Sequence, residues 1–257
     1  MFPCVSRLQS TDCIIFQLSL IKAFVAKNEL KDPQPTRILH PGCTAVTLPA
    51  FACTGKTLLA RIITVNTNGI RAAARKGFFE WLAAQDADVV CIQETKAQQS
   101  QLTDPIFFPR GYHCYYNDAV RKGYSGTAIY SRVRPRQVID ALGWEPVDSE
   151  GRYLQADYDG LSVVSLYLPS GSSSDEALQK KYRFLDAFLE HLKVLRRKRR
   201  EFIICADWNI CHKEIDLKNW RSNQKNSGFL PEERAWLDRL YDELGFVESF
   251  RLVKQEP

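Results

Sequence analysis

Three apolar runs in this chain each end in a carboxylate or an amide. Phe202 to Cys205 leads into Asp207-Trp208-Asn209, Ile62 to Val65 ends in Asn66, and Val89 to Ile92 ends in Gln93-Glu94. A continuous apolar run reads as a buried strand. A buried strand that ends in polar groups delivers them to the rim of a sheet, where substrates bind. Three such strand ends together are how an α/β enzyme assembles a set of hard oxygens for a divalent cation.

The rest of the chain fits alternating strands and helices from Arg61 onward. Arg61–Asn66 predicts a strand, Asn68-Gly69 a turn, and Ala72–Ala84 a helix with Phe78, Phe79 and Leu82 on its apolar side. Asp88–Gln93, Tyr112–Tyr116, Gly126–Ser131, Arg136–Asp140, Tyr153–Asp157 and Leu161–Leu168 predict further strands, separated by Gly, Pro and Asp turns. Asp175–Arg200 predicts a long helix, with Leu178, Tyr182, Leu185, Leu189 and Leu192 at helical spacing. Glu232–Leu244 predicts a last helix, stopped by Gly245.

Residues 1–60 carry four of the eight cysteines, scattered prolines and no sustained period. A boundary therefore falls near residue 60, between an N-terminal extension whose pattern allows disorder and a domain over residues 61–257. The stretch from Ala50 to Gly55-Lys56-Thr57 approaches a phosphate-binding loop. Ala50 stands where the first glycine belongs and no good strand precedes it, so chance is the better reading.

At 257 residues, with 45% hydrophobic content, the chain can bury a large core. A net charge of +5 permits an anionic partner without demanding one. The cysteines show no CxxC spacing, which argues against a zinc site and for reduced thiols in the cytoplasm. No apolar run approaches the length of a membrane span. The apolar stretch 13–26 contains Gln17 and Lys22, which speaks against a signal peptide. The basic run Arg196 to Arg200 complements a helix C-terminus, with a nucleic-acid contact as the alternative.

Each polar strand end has a bland reading. Glu94 alone reads as a strand-end carboxylate facing water, and Tyr167 reads equally well as a core tyrosine. The functional reading gives each a task. Glu94 next to a buried run is costly unless paired or bound to metal. Asp207 can take a proton from water or bind metal. Asn209 can hold a water or a phosphate oxygen without adding repulsive charge. Tyr167 can donate to a phosphoryl oxygen or, ionised, bind metal. A phosphodiester substrate, already anionic, suits such a mixed set.

Five ordered blocks carry a resemblance. Ile62 to Ala72 resembles the opening strand of the exonuclease III family of apurinic/apyrimidinic endonucleases, and Ile92-Gln93-Glu94-Thr95-Lys96 its metal-binding block. Gly123 to Ala128, Tyr167-Leu168-Pro169 and Asp207-Trp208-Asn209 match further blocks, over residues 61–257. The resemblance implies an α/β four-layer sandwich of the DNase I-like kind: two mixed, mostly antiparallel sheets flanked by helices. It implies Mg²⁺-dependent (or Mn²⁺-dependent) hydrolysis of double-stranded DNA at abasic sites or from 3′ ends. Glu94 and Asn66 are implied at the metal, and Tyr167, Asp207 and Asn209 in catalysis. Asn68, Arg71, Lys96 and His212 are implied in substrate binding.

Gly151 to Asp157, Leu168 to Gly171, Arg196 to Glu201 and Phe229-Leu230 with Arg234 to Asp238 resemble the catabolite repression control branch of the same fold. That branch implies the alternative of a translational regulator acting with RNA and an RNA chaperone, without catalysis. The intact Glu94, Asp207 and Asn209 favour the nuclease. The family's closing Ser-Asp-His block finds no match before Pro257, so the resemblance implies a fold incomplete at the C-terminus and a chain of poor activity.

Overall fold

The computed structural model describes residues 21–26, 37–40, 43–53, 56–145 and 147–253. Among the described residues, twelve strands form two six-stranded sheets. One sheet holds β12 (Phe246–Glu248), β1 (Ile21–Ala26), β11 (Glu201–Asp207), β10 (Leu161–Tyr167), β9 (Tyr153–Asp157) and β8 (Gln137–Ile139), in that order. The other holds β2 (Arg37–His40), β3 (Cys43–Cys53), β4 (Lys56–Asn66), β5 (Val89–Gln93), β7 (Thr127–Ser131) and β6 (His113–Asn117). Each sheet contains one parallel pair, β10 with β11 and β4 with β5, and every other pairing is antiparallel. This is the mixed, mostly antiparallel arrangement that the sequence resemblance implied.

Strand periodicity explains why the apolar runs are continuous. On β5, Val89 and Cys91 point into a core between the sheets, while Val90 and Ile92 point to the opposite face. On β11, Ile203 and Cys205 face the inter-sheet core, and Phe202, Ile204 and Ala206 face outward. The outer faces are then covered by helices. α1 (Ile70–Arg75) and α2 (Phe78–Ala83) supply Ile70, Ala73, Phe78, Phe79 and Leu82 to the core behind β5. α3 (Asp175–Arg196) and α5 (Pro231–Asp242) supply Phe184, Phe188, Leu192, Trp236 and Leu240 to the core behind β11. Each of the leucine, isoleucine and phenylalanine side chains among them contributes about 1.5–3 kcal/mol by removal from water. Helix, sheet, sheet and helix thus make four layers. The short helices α4 (Trp220–Asn223) and α6 (Ser249–Val253) lie outside this frame.

Several boundaries differ from expectation. The helix expected over Ala72–Ala84 is two helices, broken at Lys76-Gly77, where Gly77 takes a left-handed φ of 82°. The long helix stops at Arg196, because Arg200 turns back to pair with Asp157 at 3.3 Å and to donate to the Tyr158 and Leu161 carbonyls. Four of the basic residues therefore follow the helix instead of closing it. The strand ending in Asn66 begins at Lys56, as the second arm of a hairpin with β3. Lys56 and Thr57 open a strand, where a phosphate-binding loop would need a helix, and residues 54–55 of that stretch lie outside the described residues. The segment before residue 61 supplies β1, which pairs with both β11 and β12, and β3, which pairs with β4.

Candidate active site

The parallel pairs β4–β5 and β10–β11 end at a common rim, and the polar strand ends meet there. The sheets are tied face to face just below it. Ser165 Oγ donates to the Ile92 carbonyl at 3.0 Å, and Gln93 Nε2 donates to Ser165 Oγ at 3.1 Å and to the Cys205 carbonyl at 3.2 Å. The register of β10 against β11 sets Tyr167 beside Asp207.

Asn66 is the hub of the rim. Its Nδ2 donates to Glu94 Oε1 at 2.8 Å and to Asp207 Oδ2 at 2.7 Å, so one amide joins two carboxylates from different sheets. Its Oδ1 accepts from the Asn68 backbone N–H at 2.8 Å, which fixes the amide's orientation. Asn66, Glu94 and Asp207 are all buried. Unpaired buried carboxylates would be costly, so these bonds are needed for the site to exist ionised.

Lys96 Nζ sits 2.6 Å from Glu94 Oε2 and donates to Asn68 Oδ1 at 2.5 Å. Burial alone would raise the Glu94 carboxyl. Hydrogen bonds from Lys96, Asn66 and Tyr167, together with the Lys96 charge, outweigh it and hold Glu94 below the usual carboxylate range. The Tyr167 phenol is pushed far above the ordinary tyrosine value, by burial first and then by the Glu94 and Asp207 charges. It therefore stays protonated and acts as a donor toward Glu94.

Asn209 follows Asp207 in a left-handed conformation, with φ of 49°. Its backbone N–H donates to Asp207 Oδ1 at 3.1 Å and its Nδ2 donates to the Leu168 carbonyl at 2.9 Å. Both oxygens of Asp207 thus accept fixed donors, and the carboxylate cannot swing away from the rim.

The structure gathers Asn66, Asn68, Glu94, Lys96, Tyr167, Asp207 and Asn209 into one hydrogen-bonded set. Arg71 is exposed at the start of α1, on the chain that leaves the rim. His212 turns elsewhere: its Nε2 lies 2.7 Å from Asp238 Oδ1 and its ring packs 4.9 Å from that of Tyr241.

Arg152 is a rim residue to which sequence reasoning assigned no role. Buried at 2% exposure, it lies over the Tyr167 ring at 5.0 Å and the Tyr124 ring at 5.6 Å. It donates to the Tyr167 carbonyl at 3.0 Å and to Tyr124 Oη at 2.9 Å, and pairs with Glu150 at 2.6 Å. A lone arginine before a strand gives no sequence signal of this kind. The loop between β6 and β7 also reaches the rim, and it exposes Val120, Arg121 and Lys122 beside Tyr124.

Among the described residues no group of three His, Cys, Asp or Glu side chains gathers as a ready metal cage. The oxygens present nonetheless fit Mg²⁺, which commonly takes one or two carboxylates and completes its shell with water and substrate phosphate. Glu94 is ionised, oxygen-only and at the rim, with Asp207 across Asn66. Also among the described residues, no helix is long and apolar enough to cross a membrane.

The sequence profile of the Endonuclease/Exonuclease/phosphatase family matches residues 63–250. An exodeoxyribonuclease of Bacillus subtilis (strain 168) is 41% identical over 194 residues, covering 75% of this chain and 75% of that protein. The DNA repair nuclease APEX1 of Danio rerio is 35% identical over 199 residues, covering 77% of this chain and 64% of that protein. Among solved structures, an AP endonuclease from Archaeoglobus fulgidus superposes with a TM-score of 0.66 at 29% identity, covering 75% of this chain and 74% of that one.

Proposed function

Because this chain belongs to the Endonuclease/Exonuclease/phosphatase family, we propose that it hydrolyses DNA phosphodiester bonds in repair, with a divalent cation, from 3′ ends and at abasic sites. The observation that carries this reading is the Glu94–Asn66–Asp207 bridge. It sets side by side on one rim the two carboxylates to which this reading gives the cation and the attacking water.

Glu94 is the residue that would hold the cation, with Asn66 as its neighbour. Mg²⁺ or Mn²⁺ there would supply charge neutralisation at the phosphoryl oxygens and the leaving oxygen. The chain's own residues do the rest. Asp207 orients the attacking water and accepts its proton as the new P–O bond forms. Asn209 holds that water and a phosphoryl oxygen in line with it. Tyr167, held as a phenol and backed by Arg152, turns its one O–H from Glu94 to a phosphoryl oxygen as charge builds there. The bond to the leaving oxygen breaks, and that oxygen takes up a proton.

Asn68, Arg71 and Lys96 lie on the β4–α1 and β5 exits and serve the substrate's phosphates. His212, bonded to Asp238, contributes to the substrate side only through the loop that carries it. The catalytic unit is residues 61–257, which contain every one of these groups. The free thiols of Cys91, Cys114, Cys205 and Cys211 suit a cytoplasmic setting. The test is product analysis on two end-labelled duplexes, one with an abasic site and one with a recessed 3′ end, in Mg²⁺ and in EDTA. Metal-dependent incision or shortening is expected. Cleavage of neither duplex rejects the reading.

A further inference from the structure

Behind the rim lies an ion pair that the proposed chemistry does not use. Lys181 on α3 and Glu233 on α5 are both 0% exposed, and Lys181 Nζ lies 2.5 Å from Glu233 Oε1. Taking two charges out of water costs several kcal/mol per ion, and apolar residues of similar volume often serve a core as well or better. A fully buried pair here therefore calls for a reason beyond stability.

The hydrogen bonds give one. Lys181 Nζ also donates to the Asn209 carbonyl at 2.8 Å and to the Ser170 carbonyl at 3.3 Å. An ammonium has three donors, and Glu233 and these two carbonyls are its nearer acceptors, with Ser227 Oγ a fourth at 3.5 Å. Both carbonyls belong to chain leaving the rim: Ser170 three residues past Tyr167, and Asn209 two residues past Asp207. Glu233 ties the far side. Its Oε2 accepts from the Gly228 and Leu230 N–H groups at 2.6 and 3.1 Å, and its Oε1 lies 3.0 Å from Ser227 Oγ. Ser227 Oγ in turn donates to Ser170 at 2.7 Å, and Cys211 N–H donates to Gly228 at 2.7 Å. The pair thus binds three loops into one block under Asn209.

The block bears on Asn209 itself, whose left-handed φ of 49° asparagine adopts more readily than other residues with a Cβ but which is still a minority conformation for it. The Asn209 carbonyl and the side chain that reaches Leu168 share one Cα, so the bond from Lys181 holds ψ of the very residue whose amide donates there. Burial lowers the affinity of Lys181 for its proton, and Glu233 and Asp207 oppose that fall.

We propose that Lys181, held by Glu233, is a positioning residue that fixes the Asn209 main chain, and through it the Asn209 and Asp207 side chains, for in-line attack. This rests on the reading of Asn209 as a catalytic residue.

The test uses the full chain in single-turnover assays on an abasic duplex with Mg²⁺. Lys181→Met combined with Glu233→Gln removes both charges, so no lone ion is left buried. Glu233→Asp, which keeps the charge and withdraws it by one methylene, is the milder variant should the first fail to fold. The expected result is a maximal rate about tenfold or more below wild type, with the enzyme concentration for half-maximal rate nearly unchanged. The Asn209 side-chain amide NMR resonance, assigned by its loss in Asn209→Ala, should shift in parallel, which a purely stabilising pair would not cause. A folded variant with wild-type rate and an unmoved resonance overturns the proposal. Asn209→Ala separates the two levels: if that variant keeps wild-type rate, the site reading fails; if it loses activity while the pair variants do not, only the positioning role fails.

Discussion

Asn66 and Asp207 are 141 residues apart in the chain and 2.7 Å apart at the rim, joined by one side-chain hydrogen bond that crosses from one sheet to the other. The same amide nitrogen reaches Glu94 at 2.8 Å. Removing Asn66 leaves two buried carboxylates facing each other without the donor between them. Asn66→Ala is expected to cost about 2–4 kcal/mol of stability in urea titrations and at least about 100-fold in cleavage rate. Asn66→Asp, which adds a third negative charge, should be worse on both counts.

His191 makes acid sensitivity predictable. It packs against Phe188 and lies 3.4 Å from Tyr153 Oη. Burial, and then the Lys198 charge, lower its pKa from 6.5 to about 4. The sign follows from linkage. Above about 6.5 the imidazole is neutral in both states and the folded protein has its full stability; as pH falls from about 6.5 to about 4, the unfolded state takes up the proton first and stability is lost. After discounting for partial exposure, the loss is about 2 kcal/mol. His191→Phe should flatten that part of the stability–pH curve measured by thermal melts. An unchanged curve would mean that His191 titrates alike in both states.

Gly151 sits where a side chain has no room. Its φ is 57°, and a Cβ would lie 2.4 Å from the Asn117 carbonyl oxygen. Gly151→Ala must push the β9 entry away from Asn117 and carry Arg152 off the Tyr167 ring. The expected outcome is a loss of about 2–4 kcal/mol with a fall in cleavage rate beyond what the unfolded fraction explains.

The central strands were legible because both their faces are buried, which leaves continuous apolar runs that end abruptly in polar groups; their stacking into four layers came only with the family resemblance. Glu94, Asp207 and Asn66 were legible for the same reason: a carboxylate or amide after such a run has only the rim to go to. Arg152, Lys181 and Glu233 were not. They act through loops distant in sequence, and a lysine four residues from a leucine on a helix looks like any solvated face. The break at Lys76-Gly77 was overridden by the helical spacing of Phe78, Phe79 and Leu82. The spacing is real, but it belongs to a second helix. His212 stood near Asn209 in sequence, yet its ring is committed to Asp238 and Tyr241.

The most direct measurement is the rate of Mg²⁺-dependent cleavage of an end-labelled abasic duplex by the wild-type chain and by Glu94→Ala, with circular dichroism and melting temperature taken on both. The predicted result is a fall of about 100-fold or more with folding retained, because Glu94 is the oxygen that would hold the cation. Cleavage by Glu94→Ala at the wild-type rate, or equal cleavage by the wild-type chain in EDTA, would contradict it.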